Sequence, residues 1–331
     1  MVSKKTIKSP RIILFDLLKI ALIFLVVNIH IRVITPSNAH LFGSLWSYTV
    51  PIFMTLSFFF MNKYFSQMKL SFSIVLARIK RLFLPLIFWS AVGFIFNPKL
   101  FSIKNAFLQI LTGKVVNTPL YYLDVLILFT LIYWLITYLP QKLRTPLHFV
   151  IIIAALTLDY SGISFRFFNP MINEVKRSYG QIVELIKYAS LGILFATLNK
   201  QNKKTIFLLF LTVISFFIMT YYKFPETHGF NYSGANLFIG TIFVLSLSLL
   251  IGKFQLPPKA GQFINILGAY SFGVYLFHII FLEKLVKTFP NIKTFNNHYS
   301  LLFLFLFTIS CYGFCFLFDH LTKKKFSYLI K

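Results

Sequence analysis

Runs of apolar residues, most of them about twenty long, recur along nearly the whole chain, and nothing else limits its fold so sharply. A helix that crosses a bilayer needs roughly 20 apolar residues. The first run covers residues 12–31, and others follow at about 41–61, 72–96, 120–139, 147–159, 180–198, 205–222, 235–252, 264–283 and 299–318. Ten such helices take up about 200 of the 331 residues and leave loops too short for a separate soluble domain. The expected architecture is therefore all-α, a polytopic integral membrane bundle of about ten transmembrane helices forming one domain over residues 1–331. Only 12% of the residues are charged, about half the usual share. The first run is too long for a cleaved signal and ends in Asn28, Ile29 and His30, so a retained span is expected. The fifth run is short, because Asp159 and Gly162 should stop it early. Residues 101–111 suit a short amphipathic helix lying in the interface.

The net charge of +25 comes from 33 basic against 8 acidic residues. In a soluble chain this excess would point to nucleic acid. Here the basic residues lie between apolar runs, where anionic lipid headgroups and the positive-inside bias account for them, so membrane lipid and no nucleic acid is the expected partner. With ten spans and both termini in the cytoplasm, about twenty Lys and Arg fall inside against about eleven outside. Lys4, Lys5, Lys8 and Arg11 contribute to the inner set at one end, and Lys323, Lys324 and Lys325 at the other. Cys311 and Cys315 are one helical turn apart in a Phe-rich run and suit packing within one helix, so no metal or disulfide is expected.

An ionisable residue inside a span costs on the order of 2.5–3.5 kcal/mol on insertion scales and needs a reason to be there. At 100° per residue, Asp16, Lys19 and His30 share one 60° sector of the first helix, with about 16 Å of rise between Lys19 and His30. A plain i,i+3 ion pair between Asp16 and Lys19, with His30 at the far interface, is the simpler alternative. Arg78 and Arg81 project from one side of the third helix, and two guanidiniums there suit phosphate oxygens. Snorkelling at a helix end would also explain them. Asp124 is a candidate counter-ion or cap, while Glu184 and Lys187, three apart, should neutralise each other. Ser271 and His278 are seven residues apart on nearly the same helical face and fit either a cavity lining or a helix-to-helix hydrogen bond.

Taken together, these segments resemble the membrane-bound acyltransferase 3 family, bacterial O-acyltransferases of surface glycans. Asp16-Leu17-Leu18-Lys19, followed by an apolar run ending in His30, is similar to the family's opening D-x-x-[RK] helix. Val50 to Ser57 resembles its second helix, Arg78 to Arg81 its R-x-x-R, and Tyr121-Tyr122-Leu123 the aromatic start of its fourth. Gly268 to His278 resembles its S-[FY]-G-[IV]-Y-L-x-H pattern, the most specific match. Lys19 stands where many members carry Arg, and Phe58 follows Ser57 where Gly is usual.

The resemblance implies an enzyme that moves an acyl group, most often acetyl, from cytoplasmic acyl-CoA to a hydroxyl of a cell-surface or lipid-linked glycan. It implies a multi-pass protein of the bacterial cytoplasmic membrane and no permanently bound cofactor. On this reading His30 is the catalytic base, Arg78, Arg81 and Lys19 bind the donor, and Asp16, Asp124, Ser271, Tyr275 and His278 support the site or line its cavity. A polysaccharide transporter or flippase is the alternative, with the same charged positions lining a path.

Overall fold

The computed structural model describes residues 12–34, 45–65, 71–112, 118–161, 173–199, 204–221, 232, 234–252 and 256–331. Among these residues the regular structure is entirely helical. In chain order the helices are α1 (Ile13–Ile34), α2 (Thr49–Phe65), α3 (Phe72–Phe96), α4 (Ile103–Thr112), α5 (Tyr121–Ile136) and α6 (Gln141–Ser161). They continue with α7 (Asn173–Leu198), α8 (Lys204–Tyr221), α9 (Ala235–Ile251), α10 (Pro258–Thr288), α11 (Ile292–His298) and α12 (Ser300–Leu321). Each of the ten expected runs falls on one of these helices. Among the described residues α1, α3, α6, α10 and α12 are long and apolar enough to cross a membrane, while α2, α5, α8 and α9 are shorter apolar helices. The basic residues Lys4, Lys5, Lys8 and Arg11, and Gly162, lie outside the described residues.

The outer surface explains the composition. Ile206, Phe210, Val213 and Phe217 on α8, and Phe305, Ile309 and Phe316 on α12, are all exposed, the pattern of helices solvated by hydrocarbon rather than water. The helix α4 follows the same logic. Its exposed apolar residues are Ile103, Phe107 and Ile110, which share one face, whereas Gln109 is buried and donates to the Ser90 hydroxyl at 3.2 Å. This amphipathic piece turns its apolar side outward and its amide inward.

Between helices the polar groups hold the bundle together. The most extensive packing joins α2 to α7, where Gly192 lets the two backbones touch; a Cβ there would overlap the Thr55 carbonyl and come within 2.9 Å of the Phe59 nitrogen. Beside it, the Asn62 amide donates to the Ile193 carbonyl at 2.9 Å and accepts from the Tyr133 hydroxyl at 2.6 Å.

Two expectations change here. Asp159 does not end the fifth run: α6 extends from Gln141 past Pro146 to Ser161. Buried Asp159 is tied instead to Lys187 of α7, so the ion pair of Lys187 is with Asp159, while Glu184 one turn away also acts on it electrostatically. A side chain that faces a buried cation across the bundle has no reason to bend back and cap its own helix. Pro146 lies in the second turn of α6, and the turn before it is anchored by Arg144, which donates to the Leu139 and Thr137 carbonyls at 2.9 and 2.6 Å.

Candidate active site

Parallel packing of α1 against α10 builds the site. Gly268 lies against Asp16, where a Cβ would meet the carboxylate within 2.8 Å, and further along the same two helices His278 lies against His30. Asp16, Lys19 and His30 therefore face α10 and its surroundings, as their shared sector requires.

A cavity of about 400 Å³ opens where α1, α2, α3, α5 and α10 meet. Its walls include Lys19, Arg78 and Arg81, with Ser57 and Ser271, and beyond them Phe53, Tyr122 and Tyr275. The expected donor-binding residues Lys19, Arg78 and Arg81 are thus brought together from two helices.

The charges in this cavity are unequal. Lys19 pairs with Asp16 at 3.0 Å, the simple i,i+3 bridge, and lies 5.2 Å from the Phe60 ring centre. Arg78 is held by neutral oxygens alone: Nε donates to the Thr130 hydroxyl at 3.0 Å and Nη2 to the Ser57 hydroxyl at 2.8 Å. Thr130 commits its own proton to the Leu126 carbonyl at 2.7 Å, so its oxygen is free to accept. Under the guanidinium, 5.5 Å from its centre, lies the Phe58 ring, which gives the Phe-for-Gly departure a use as a cation–π platform. Neither Arg78 nor Arg81 has a carboxylate partner among the described residues. Two guanidiniums in a partly enclosed cavity without counter-ions make a site for an anionic ligand with planar oxygens.

Three rings close the far end. Tyr275 packs edge-on against Tyr122 with 5.5 Å between centroids and lies 6.3 Å from Phe53. Beyond this layer is the histidine pair. Tyr275 is 6.3 Å from His278, and His278 is 5.0 Å from His30. His278 is fully buried, and its Nδ1 lies 3.0 and 2.9 Å from the carbonyls of Val274 and Tyr275. Two acceptors at one nitrogen put the proton on Nδ1 and leave Nε2 as an acceptor. That nitrogen has no hydrogen-bond partner among the described residues.

Not every candidate joins the cavity. His30 is not among the residues that line it; Tyr275, which does line it, lies 6.3 Å from His278, and His278 in turn lies 5.0 Å from His30. Asp124 does not line it: Tyr122 and Leu126 do, and Asp124 lies 200° around α5 from Tyr122, on the other side of the helix. Ser271 lines the cavity but spends its hydroxyl on structure, donating to the Leu267 carbonyl at 3.1 Å and accepting from Tyr312 at 2.9 Å. Sequence reasoning overlooked Lys331, which lines the cavity and pairs with Asp319 at 2.5 Å. The available signal was Asp319 itself, one of only 8 acidic residues and set directly after an apolar run. Burial disfavours the Lys331 ammonium, but hydrogen bonds to Asp319 and Tyr270 outweigh it and lift its pKa over the ordinary lysine value.

The acyltransferase domain model of the acyltransferase 3 family matches residues 12–320. No curated protein and no solved structure matches the chain.

Proposed function

Because the chain belongs to the acyltransferase 3 family, and is in that general sense a membrane acyltransferase, we propose that it carries an acyl group, in the first instance acetyl, from cytoplasmic acyl-CoA to a hydroxyl of a cell-surface or lipid-linked glycan. The observation that carries this reading is the cavity whose two guanidiniums have no carboxylate partner among the described residues, one aromatic layer away from fully buried His278 and the His30 ring beside it. In this proposal ten helices span the bacterial cytoplasmic membrane with both termini inside, so the cationic cavity faces the cytoplasm, where acyl-CoA is made.

The donor's phosphates bind Arg78 and Arg81, with Lys19 deeper on the same path. The pantetheine arm points along the cavity toward Tyr122 and Tyr275, whose rings move aside to admit the thioester. His30 takes the proton from the acceptor hydroxyl as its oxygen attacks the thioester carbonyl carbon. The carbon–sulfur bond breaks, and the proton held by His30 passes to the departing thiolate, leaving an ester and free CoA thiol. His278 acts through His30. Its Nδ1 proton is fixed by two carbonyls, so Nε2 is the face it offers to a neighbouring N–H, which favours one tautomer of His30 and stabilises its imidazolium.

The test supplies acetyl-labelled acetyl-CoA to inverted membrane vesicles and follows label into glycan. Transfer by the wild-type protein, lost in His30→Ala and reduced in Arg78→Ala/Arg81→Ala, is expected. Glycan movement across the membrane with no label incorporated would overturn the reading in favour of a flippase.

A further inference from the structure

The segment after α12 folds back into the bundle, and we propose that it completes the donor site: Lys331 is a phosphate-binding residue of the cavity, positioned there by Asp319. This rests on the acyl-CoA reading of that cavity.

Four observations fix the segment in place. The Ile330 carbonyl accepts from the Gly273 nitrogen of α10 at 3.0 Å, and the Leu329 carbonyl accepts from the Trp89 indole of α3 at 3.1 Å. Ile330 and Leu329 are both buried. At Gly273 the approach is so close that a Cβ would lie 2.7 Å from the Ile330 carbonyl oxygen and 2.8 Å from the Cys315 sulfur. Asp319 gathers the remaining polar groups, accepting from Tyr270 at 2.8 Å, from the Ser327 hydroxyl and from Lys331 at 2.5 Å. Surface segments are not usually tied to three helices by backbone and carboxylate bonds, since loops with buried backbone must find partners for every group.

This anchoring presents one group to the cavity. Lys331 lines it together with Lys19, Arg78 and Arg81, and its side chain keeps 32% of its exposure despite the bond to Asp319. Its ammonium lies 4.4 Å from the Tyr270 ring centre, a second attraction that helps fix its position. An ammonium has three donors, and with Asp319 and the Tyr270 hydroxyl each taking one, a third remains for a ligand. Lys19 and Asp16 repeat the arrangement at another wall, with a buried carboxylate holding a partly exposed lysine. Together they give four side-chain cations against two side-chain carboxylates, a surplus that matches a ligand bearing several phosphates.

The experiment compares two donors on the purified protein in nanodiscs: acetyl-CoA, and acetyl-pantetheine, which has the same thioester and no phosphate. Lys331→Gln should weaken acetyl-CoA binding about tenfold and leave acetyl-pantetheine unchanged, with KM rising and kcat preserved. Lys331→Arg should restore most of the affinity. Asp319→Asn, a positioning variant, should give the same donor-selective loss in smaller degree. An equal loss for both donors in Lys331→Gln, or none for either, overturns the role of Lys331. If Arg78→Ala/Arg81→Ala still loses acetyl-CoA selectively in that case, the donor reading survives without it. If the wild-type protein binds both donors equally, the donor reading itself fails.

Discussion

His278 meets His30 at 5.0 Å between ring centroids while both its Nδ1 contacts go to carbonyls of its own helix. An imidazole anchored in this way has one free nitrogen, and its nearest ring partner is the proposed base. Removing His30 should lower acyl transfer by about 10²–10⁴-fold with donor affinity retained. His278→Ala should lower kcat less, and the double variant should be no worse than His30→Ala alone, because the two act as a unit. Turnover measured with saturating acetyl-CoA decides it; full additivity would mean that the histidines work independently.

Arg78 depends on Ser57 and Thr130 to stay in the cavity. Ser57→Ala and Thr130→Val each remove one charge-assisted bond, worth about 1.5–3 kcal/mol, and should weaken acetyl-CoA binding about tenfold or more. Arg78→Lys loses the planar fork and cannot satisfy both hydroxyls, so its affinity should fall close to that of Arg78→Ala. Calorimetric titration with acetyl-CoA measures each step.

Gly192 tests the α2–α7 contact separately from the chemistry. With the Thr55 carbonyl in the way of any Cβ, Gly192→Ala should cost about 1–3 kcal/mol and lower the thermal midpoint in detergent. Gly313, which has nothing within 4 Å of an added Cβ, should tolerate alanine with an unchanged or higher midpoint. Equal midpoints for the two variants would contradict the packing.

The ion pair between Lys187 and Asp159 is buried in the bundle, so Lys187→Met should strand a carboxylate and cost about 3–5 kcal/mol. Adding Asp159→Asn should recover much of that loss. Thermal unfolding of the single and double variants checks the sign of the coupling.

The parts legible in the sequence were those with a local cause. Apolar runs marked ten helices, the 100° step put Lys19 and His30 on one face of α1, and the three-residue spacing of Arg78 and Arg81 put them on one side of α3. What depended on long-range partners was not legible. Nothing near Asp159 indicated that Lys187, 28 residues away, would claim it. The fold-back of Ile330 onto Gly273 joins positions too far apart for any periodicity to register. Asp124 is absent from the cavity lining for a different reason: two residues from Tyr122 along a helix is the other side of it.

The layer formed by Phe53, Tyr122 and Tyr275 bears on the energetics of the whole cell. A path that let acetyl groups out through standing water would also let protons in, and the membrane potential would drain through every copy of the protein. In the proposed transfer, three rings packed between the cavity and the histidine pair would insulate that path at rest, and an acyl group would cross only while the donor's own arm fills the gap. On that reading turnover would be limited by how often the tyrosines part, and tightness against leakage and speed of transfer would be opposing demands on the same side chains.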